Sequence, residues 1–126
     1  MNKQKIIEWV LRIGVAGEFL GHGVFGLQQK AQWVGWTEKV LGVSPETAGT
    51  IILLVGVMDV LLALLVLIKP IKPILLWMVL WGFWTALLRP IVGEPVWDFV
   101  ERWANWAAPL ALYLMLLQKD ETNKVS

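Results

Sequence analysis

Four ionisable residues of the first long apolar segment repeat at helical spacing. On a helix they share one arc of about 120°, and they are Glu8, Arg12, Glu18 and His22. An ionisable side chain inside an apolar segment is costly unless it is paired, and such side chains often bind ligands or move protons. The pattern therefore predicts that this face of the helix looks toward a cavity or a partner.

A second set of polar residues lies where the chain reaches the side of the membrane opposite its termini. On a helix, Asp98, Glu101, Arg102 and Asn105 share an arc of about 100°. We predict that part of this arc joins the first helix in an outer polar pocket, formed by Glu18, His22, Arg89, Glu94, Glu101, Arg102 and Asn105. The same residues are also compatible with an ion-pair network that holds the helices together.

The depths of two charged residues in the membrane predict one buried ion pair. With a rise of about 1.5 Å per residue, Arg12 lies about 9 Å, and Asp59 about 13 Å, from the same side of the membrane. Pairing would remove the cost of two isolated charges. We therefore expect Arg12 and Asp59 to clamp the first two spans, as a structural ion pair.

His22 is the only histidine, and the chain contains no cysteine. A bis-histidine haem within one chain and a thiolate metal site are thereby excluded, and no metal-binding motif is present. The ligands that His22 suits are a quinone, through a hydrogen bond to its carbonyl, and a single macrocycle, through axial ligation. A hydrogen bond to Glu18 is the alternative without a ligand.

Small and aromatic residues mark two further helix faces. Gly14, Gly17 and Gly21 cluster opposite the polar face of the first helix, at a spacing that lets another helix approach closely. Three tryptophans of the third segment share an arc of about 60°, and they are Trp77, Trp81 and Trp84. They predict an aromatic stripe that packs against lipid or a partner, or else contacts a flat-ring ligand.

The composition places this chemistry in a membrane. Of 126 residues, 57% are hydrophobic and 17% are charged, which is more apolar mass than a soluble domain of this size buries. The net charge of +1 excludes a protein that binds nucleic acid by phosphate neutralisation. We predict a single all-α membrane domain over residues 1–126, a four-helix bundle with spans of about 6–27, 46–68, 71–88 and 99–117.

The remaining segments are assigned from local signals. Ser44, Pro45 and Glu46 read as a helix start. Residues 28–43 are too polar to span, and Trp33 and Trp36 favour an amphipathic helix at the membrane interface. Residues 119–126 are expected to form a frayed polar tail. Lysine and arginine are more frequent at the termini and at the 69–73 turn, which places both termini in the cytoplasm.

The first two spans resemble the DoxX/DoxD-like family of small four-helix bacterial membrane proteins. The resemblance rests on Leu11-Arg12-Ile13-Gly14, on Phe19-Leu20-Gly21-His22-Gly23, on Lys30 after the first span, and on Gly56-Val57-Met58-Asp59 in the second. In the last of these, aspartate stands where the family more often has glutamate. The resemblance covers the Arg89–Asn105 region hardly at all.

The resemblance implies an accessory subunit of a quinone-linked redox complex in the bacterial inner membrane, with lipid and other membrane subunits as partners. We expect no catalysis by the chain alone and no covalently bound cofactor, because four spans leave no room for an extramembrane catalytic domain or a bound redox centre. One alternative is a homodimeric proton-coupled carrier, with Glu18, Asp59 and Arg12 as a relay and Gly17 and Gly21 at the dimer seam. Another is a structural subunit of a respiratory or photosynthetic complex with one pigment on His22.

Overall fold

The computed structural model describes residues 1–125, and Ser126, the last residue of the predicted tail, lies outside them. The described chain is all-helical. Its helices, in chain order, are α1 (Lys3–Leu27), α2 (Ala31–Leu41), α3 (Pro45–Ile68), α4 (Lys72–Ile91), α5 (Val96–Val100) and α6 (Ala104–Val125).

Three of these helices, α1, α3 and α4, are long and apolar enough to cross a membrane, which supports the expectation of a helical membrane protein. The helix α6 is also long, but charged residues occupy its last turns. Its apolar part, residues 104–117, is about 21 Å long at the standard helical rise. The hydrocarbon core of a bilayer is about 30 Å thick.

Local capping explains where the spanning helices begin and end. The side chain of Asn2 accepts a 2.8 Å hydrogen bond from the N–H of Lys5, so α1 starts earlier than its apolar residues suggest. The Ser44 hydroxyl accepts from the N–H of Thr47 at 3.2 Å, as expected of the predicted start of α3. The helix α4 includes Pro90, which cannot donate a hydrogen bond to the carbonyl four residues back, and it ends one residue later at Ile91.

The segment between the first two spans contains a separate helix, α2, which packs against α3. Left-handed residues stand on either side of it, Gln29 with φ 50° and Gly42 with φ 66°. They let the chain reverse direction sharply before and after α2. The helix α2 therefore packs along the first half of α3 instead of extending away from it.

The C-terminal region departs from the prediction in two ways. The predicted single segment over 99–117 is two helices, because a turn at residues 101–103 separates α5 from α6. Residues 119–125 are helical and not frayed, and two of their charged side chains have partners on other helices. Lys119 pairs with Glu8 at 2.9 Å, and Asp120 pairs with Lys72.

The packing of α1 on α3 depends on three glycines that bring backbone against backbone. A Cβ atom on Gly56 would lie 2.7 Å from the backbone carbon of Gly26, and one on Gly23 would lie 2.9 Å from the backbone nitrogen of Val60. Cβ atoms essentially never approach other atoms so closely. Only glycine therefore permits this helix separation, and the contact fixes how α1 and α3 are aligned.

The glycines predicted to pack against a neighbouring helix do not do so within the described chain. A Cβ atom on Gly14, Gly17 or Gly21 would meet nothing within 4 Å. The reason is the orientation of α1, whose buried face carries Val15, Phe19 and the Gly23 contact on the opposite side. The predicted glycine seam is exposed on the outside of the molecule.

The helix α4 packs against α6, and it touches α3 only slightly. At Gly82 the backbone oxygen of Asn105 approaches so closely that a Cβ atom there would clash. The core between the helices centres on Phe19, Met78 and Leu112. The pairs α1–α3 and α4–α6 are thus each closely packed, whereas the two consecutive helices α3 and α4 diverge.

A methyl group added to a glycine should destabilise the protein at the α1–α3 contact and should not do so on the exposed face of α1. We expect Gly56→Ala to lower the free energy of unfolding by about 1–3 kcal/mol, because α1 and α3 must separate to admit the Cβ. Gly14→Ala is the matched control, and we expect no loss from it. Reversible unfolding in mixed micelles, followed by circular dichroism, measures both. Equal losses would show that the α1–α3 contact does not depend on these glycines.

Candidate functional site

A cavity of about 160 Å³ lies between α3 and α4, covered by α2 and bordered by His22 of α1. Its wall carries four tryptophan rings, Trp33 and Trp36 from α2 and Trp81 and Trp84 from α4. It occupies the space that opens because α3 and α4 diverge. Most of its lining is apolar, and the ionisable residues among the described lining residues are His22, Asp59 and Arg89.

His22 lies half-buried on one side of the cavity. Its imidazole meets Trp33 edge to face, with ring centroids 5.7 Å apart. Its electrostatic neighbours are the cations Arg89, Arg102 and Lys30. The ammonium of Lys30 in turn lies 5.3 Å from the Trp33 ring centroid. The motif around His22 therefore packs against the start of α2.

Asp59 is almost fully buried, with 3% of its surface exposed. Its Oδ1 atom has no hydrogen-bond partner in the described chain, although buried polar atoms in proteins nearly always have one. The carboxyl of Glu18 and the indole of Trp81 are its electrostatic neighbours. Asp59 thus has a second acid beside it, Glu18, which is not among the residues that line the cavity, and neither carboxyl forms an ion pair among the described residues.

Arg89 is also buried, with 5% exposed. Its Nη1 atom donates a hydrogen bond to the carbonyl of Thr85, one turn back along α4. Its guanidinium carbon lies 5.2 Å from the centroid of the Trp36 ring. The Nε atom has no partner, and no carboxylate forms an ion pair with the guanidinium in the described chain. Arg89 is therefore a buried cation whose hydrogen-bonding capacity is only partly used.

The ion pair predicted between Arg12 and Asp59 is not formed among the described residues. Arg12 instead donates from Nε to the carbonyl of Val66 at 2.9 Å and from Nη2 to that of Leu67. It also pairs with Glu8 at 3.4 Å. Seven residues of α3, about 10 Å, separate Asp59 from Val66, because the glycine contact aligns Arg12 with the end of α3. Arg12 caps that helix end instead of neutralising Asp59.

The other members of the predicted outer pocket, Glu94, Glu101, Arg102 and Asn105, are not among the described residues that line the cavity. Glu101 and Arg102 pair with each other at 2.7 Å, and the carboxylate of Glu101 is exposed. The backbone of Asn105 packs on Gly82, and the N–H of Glu94 donates to the carbonyl of Arg89 at 2.9 Å. The turn at 101–103 explains the difference, because the predicted arc assumed one continuous helix there.

The aromatic stripe of α4 is divided between two roles. Trp81 and Trp84 line the cavity, whereas Trp77 stacks on Trp81 with ring centroids 5.6 Å apart. The tryptophans of α2, predicted as interface anchors, also line the cavity. Sequence reasoning did not place α2 at the site, although Trp33, Trp36, Thr37 and Val40 recur at helical spacing on one face.

Asp59 is the functional candidate that the sequence assigned to a different role. The prediction used it as the partner of Arg12, whereas it lines the cavity beside Trp81. The sequence does contain one indication of how α3 packs near Asp59. Gly56 lies one turn before it, and a glycine in an apolar helix often marks the place where another helix approaches closely. Within residues 1–125, no group of three or more acidic or histidine side chains is placed to hold a metal ion.

In comparisons with known proteins, no family model, curated protein or solved structure matches the chain. The resemblance of its first two spans to DoxX/DoxD-like proteins stays a prediction.

Proposed function

We propose that the protein is an accessory subunit of a quinone-linked membrane redox complex and holds a quinone headgroup in the cavity. The single observation that carries the proposal is the cavity itself, about 160 Å³ with four tryptophan rings and three ionisable residues around it. An engineered apolar cavity of about 150 Å³ binds benzene, so this space suits one six-membered ring. Aromatic walls with a few polar groups are typical of sites for small flat ligands.

The exposure of the lining residues supports access from the bilayer. Three of them have much of their surface exposed on the outside of the molecule, Leu41 (57%), Trp84 (39%) and Val40 (37%). They belong to the end of α2 and the middle of α4, and we call this opening the mouth of the cavity. A ligand dissolved in lipid would enter there with its ring and leave a hydrocarbon tail among the acyl chains.

The accessory role derives from the resemblance to DoxX/DoxD-like proteins. Among the residues that carry this resemblance, His22 and Asp59 line the cavity, and Lys30 lies over the Trp33 ring. The partners implied are lipid and other membrane subunits, or a second copy of the chain. A macrocycle on His22 is less well supported, because a porphyrin is far larger than a space for one ring.

The proposed membrane arrangement is a four-helix bundle in which α6 is the fourth span and α2 lies at the interface. Support comes from the ion pairs of Lys119 with Glu8 and of Lys72 with Asp120. They bring the start of α1, the start of α4 and the end of α6 to one end of the molecule. That end carries most of the lysines, so we propose that it faces the cytoplasm of a bacterial inner membrane, with both termini inside.

A homodimeric proton-coupled carrier is the second candidate. Two observations favour it, the neighbouring acids Glu18 and Asp59 and the exposed glycine face of α1. Small residues on an exposed helix face allow close helix association in membranes. The relay would no longer include Arg12, whose hydrogen bonds hold it at the end of α3.

Filling the cavity tests the ligand proposal. We expect Val55→Phe to weaken binding of tetramethyl-p-benzoquinone at least about tenfold, because Val55 lines the cavity and the added ring occupies it. Val57→Phe is the matched control on the lipid-exposed side of α3, and its affinity should stay unchanged. Saturable quenching of tryptophan fluorescence in nanodiscs measures both. Equal affinity in the two variants would place the ligand elsewhere.

Closing the mouth tests lateral entry. The chain contains no cysteine, so Leu41→Cys with Trp84→Cys can be joined by a bifunctional maleimide without side reactions at other thiols. We expect cross-linking before loading to exclude the quinone, and cross-linking after loading to retain it through detergent washing. Each single variant, treated with the same reagent, controls for the lost side chain. Free exchange through the cross-linked protein would contradict entry at this mouth.

Membrane activity distinguishes the accessory subunit from the carrier. If the proposal is right, membranes containing Val55→Phe will show several-fold lower quinone-dependent turnover than membranes containing Val57→Phe at equal protein level. A pH-sensitive dye enclosed in proteoliposomes of the purified wild type will then detect no proton flux. Proton flux that Glu18→Gln abolishes, with turnover unaffected by Val55→Phe, would instead support the carrier.

A further inference from the structure

We propose that Asp59 and Arg89 bind opposite ends of one ring, so that the ligand carries oxygens at both para positions. This inference rests on the proposed function and adds to it the pattern of ligand atoms and their orientation. One ligand oxygen would meet Asp59 at the deep end of the cavity, and the other would meet Arg89 at the outer end. The site would then distinguish a para-dioxygenated ring from a ring with a single oxygen.

The first argument is that both residues line the cavity with hydrogen-bonding capacity to spare. Each is more than nine-tenths buried, and each has one polar atom without a partner among residues 1–125, Oδ1 of Asp59 and Nε of Arg89. Leaving a buried polar group unsatisfied is costly, and more costly for a charged group. A ligand that supplied the missing partners would recover this cost, which makes these atoms the natural determinants of its specificity.

The second argument is the separation of the two groups along α4. Asp59 neighbours Trp81, and Arg89 follows Trp81 by eight residues, about 12 Å along the helix. Its hydrogen bond to the Thr85 carbonyl directs the guanidinium back toward the cavity, which shortens this distance. The tryptophans supply mainly apolar surface between the two ends. One ring with a polar atom at each end matches this arrangement.

The third argument is the difference between the two ends. Arginine has only donors, so the outer ligand oxygen must accept a hydrogen bond. The guanidinium has five N–H donors and a permanent charge, so it can give one ligand oxygen more than one charge-assisted bond, and we expect it to hold the oxygen of a ligand that has only one. A ring with a single oxygen should consequently bind with that oxygen at Arg89, which leaves Asp59 without a partner.

The experiment compares two probes that differ by one oxygen, tetramethyl-p-hydroquinone and 2,3,5,6-tetramethylphenol, on the full chain in nanodiscs. We expect the wild type to bind the hydroquinone roughly tenfold more tightly than the phenol. Asp59→Ala should remove this preference by weakening the hydroquinone alone. Arg89→Met should weaken both probes. Asp59→Asn keeps hydrogen-bonding atoms at the deep end, and it should restore most of the preference.

The outcomes separate this inference from the proposed function. If Asp59→Ala weakens both probes equally, or if the wild type binds them with equal affinity, two-ended recognition is wrong while the quinone site stands. If neither probe nor the corresponding quinone binds the wild type saturably, the proposed function itself is wrong. Circular dichroism of each variant identifies loss of fold. If Asp59→Ala does not fold, the comparison of the two probes on the wild type and on Asp59→Asn still tests the inference. A folded Asp59→Asn variant that shows no preference for the hydroquinone would overturn it.

Discussion

The close contact of α1 with α3 is the constraint on which the other features depend. Gly23 and Gly26 meet Gly56 at distances that exclude any side chain, so the two helices have one alignment available to them. This alignment sets Arg12 beside the last carbonyls of α3, and it places His22 and Asp59 at the same cavity. A helix contact made by backbone atoms thus determines which ionisable groups face one another.

The cavity results from a second consequence of the packing. Because α1 holds α3 and α6 holds α4, the two helices joined by the short turn after Ile68 diverge toward the other end. The helix α2 covers the resulting space, and polar contacts hold it there, including the hydrogen bond from Lys39 Nζ to the carbonyl of Val92 at 3.1 Å. Tryptophan rings from both sides fill part of the space and leave room for one further ring.

The charges of the molecule fall into two groups that differ in how well they are satisfied. At the end where α1 and α4 begin, Glu8 is bonded by both Arg12 and Lys119, and Arg12 also reaches two carbonyls. At the cavity, Asp59 and Arg89 are similarly buried, but each has an atom that finds no hydrogen-bond partner in the described part of the chain. A buried network that is fully bonded stabilises a fold. The incompletely bonded groups are the ones available for a ligand, which is why we propose the ligand site there.

The sequence by itself determined the helical class, the membrane setting and most helix boundaries, since these depend on composition, apolar length and local caps such as Ser44. It also indicated which ionisable residues lie within apolar segments or at their ends, and these include His22, Asp59 and Arg89. It did not determine which of these residues contact one another in the folded chain. Arg12 and Asp59 have similar calculated depths, yet alignment separates them, and Gly14 resembles Gly56 in type but faces outward. Such choices depend on how far one helix slides and rotates against another, and only the tertiary packing fixes those two quantities.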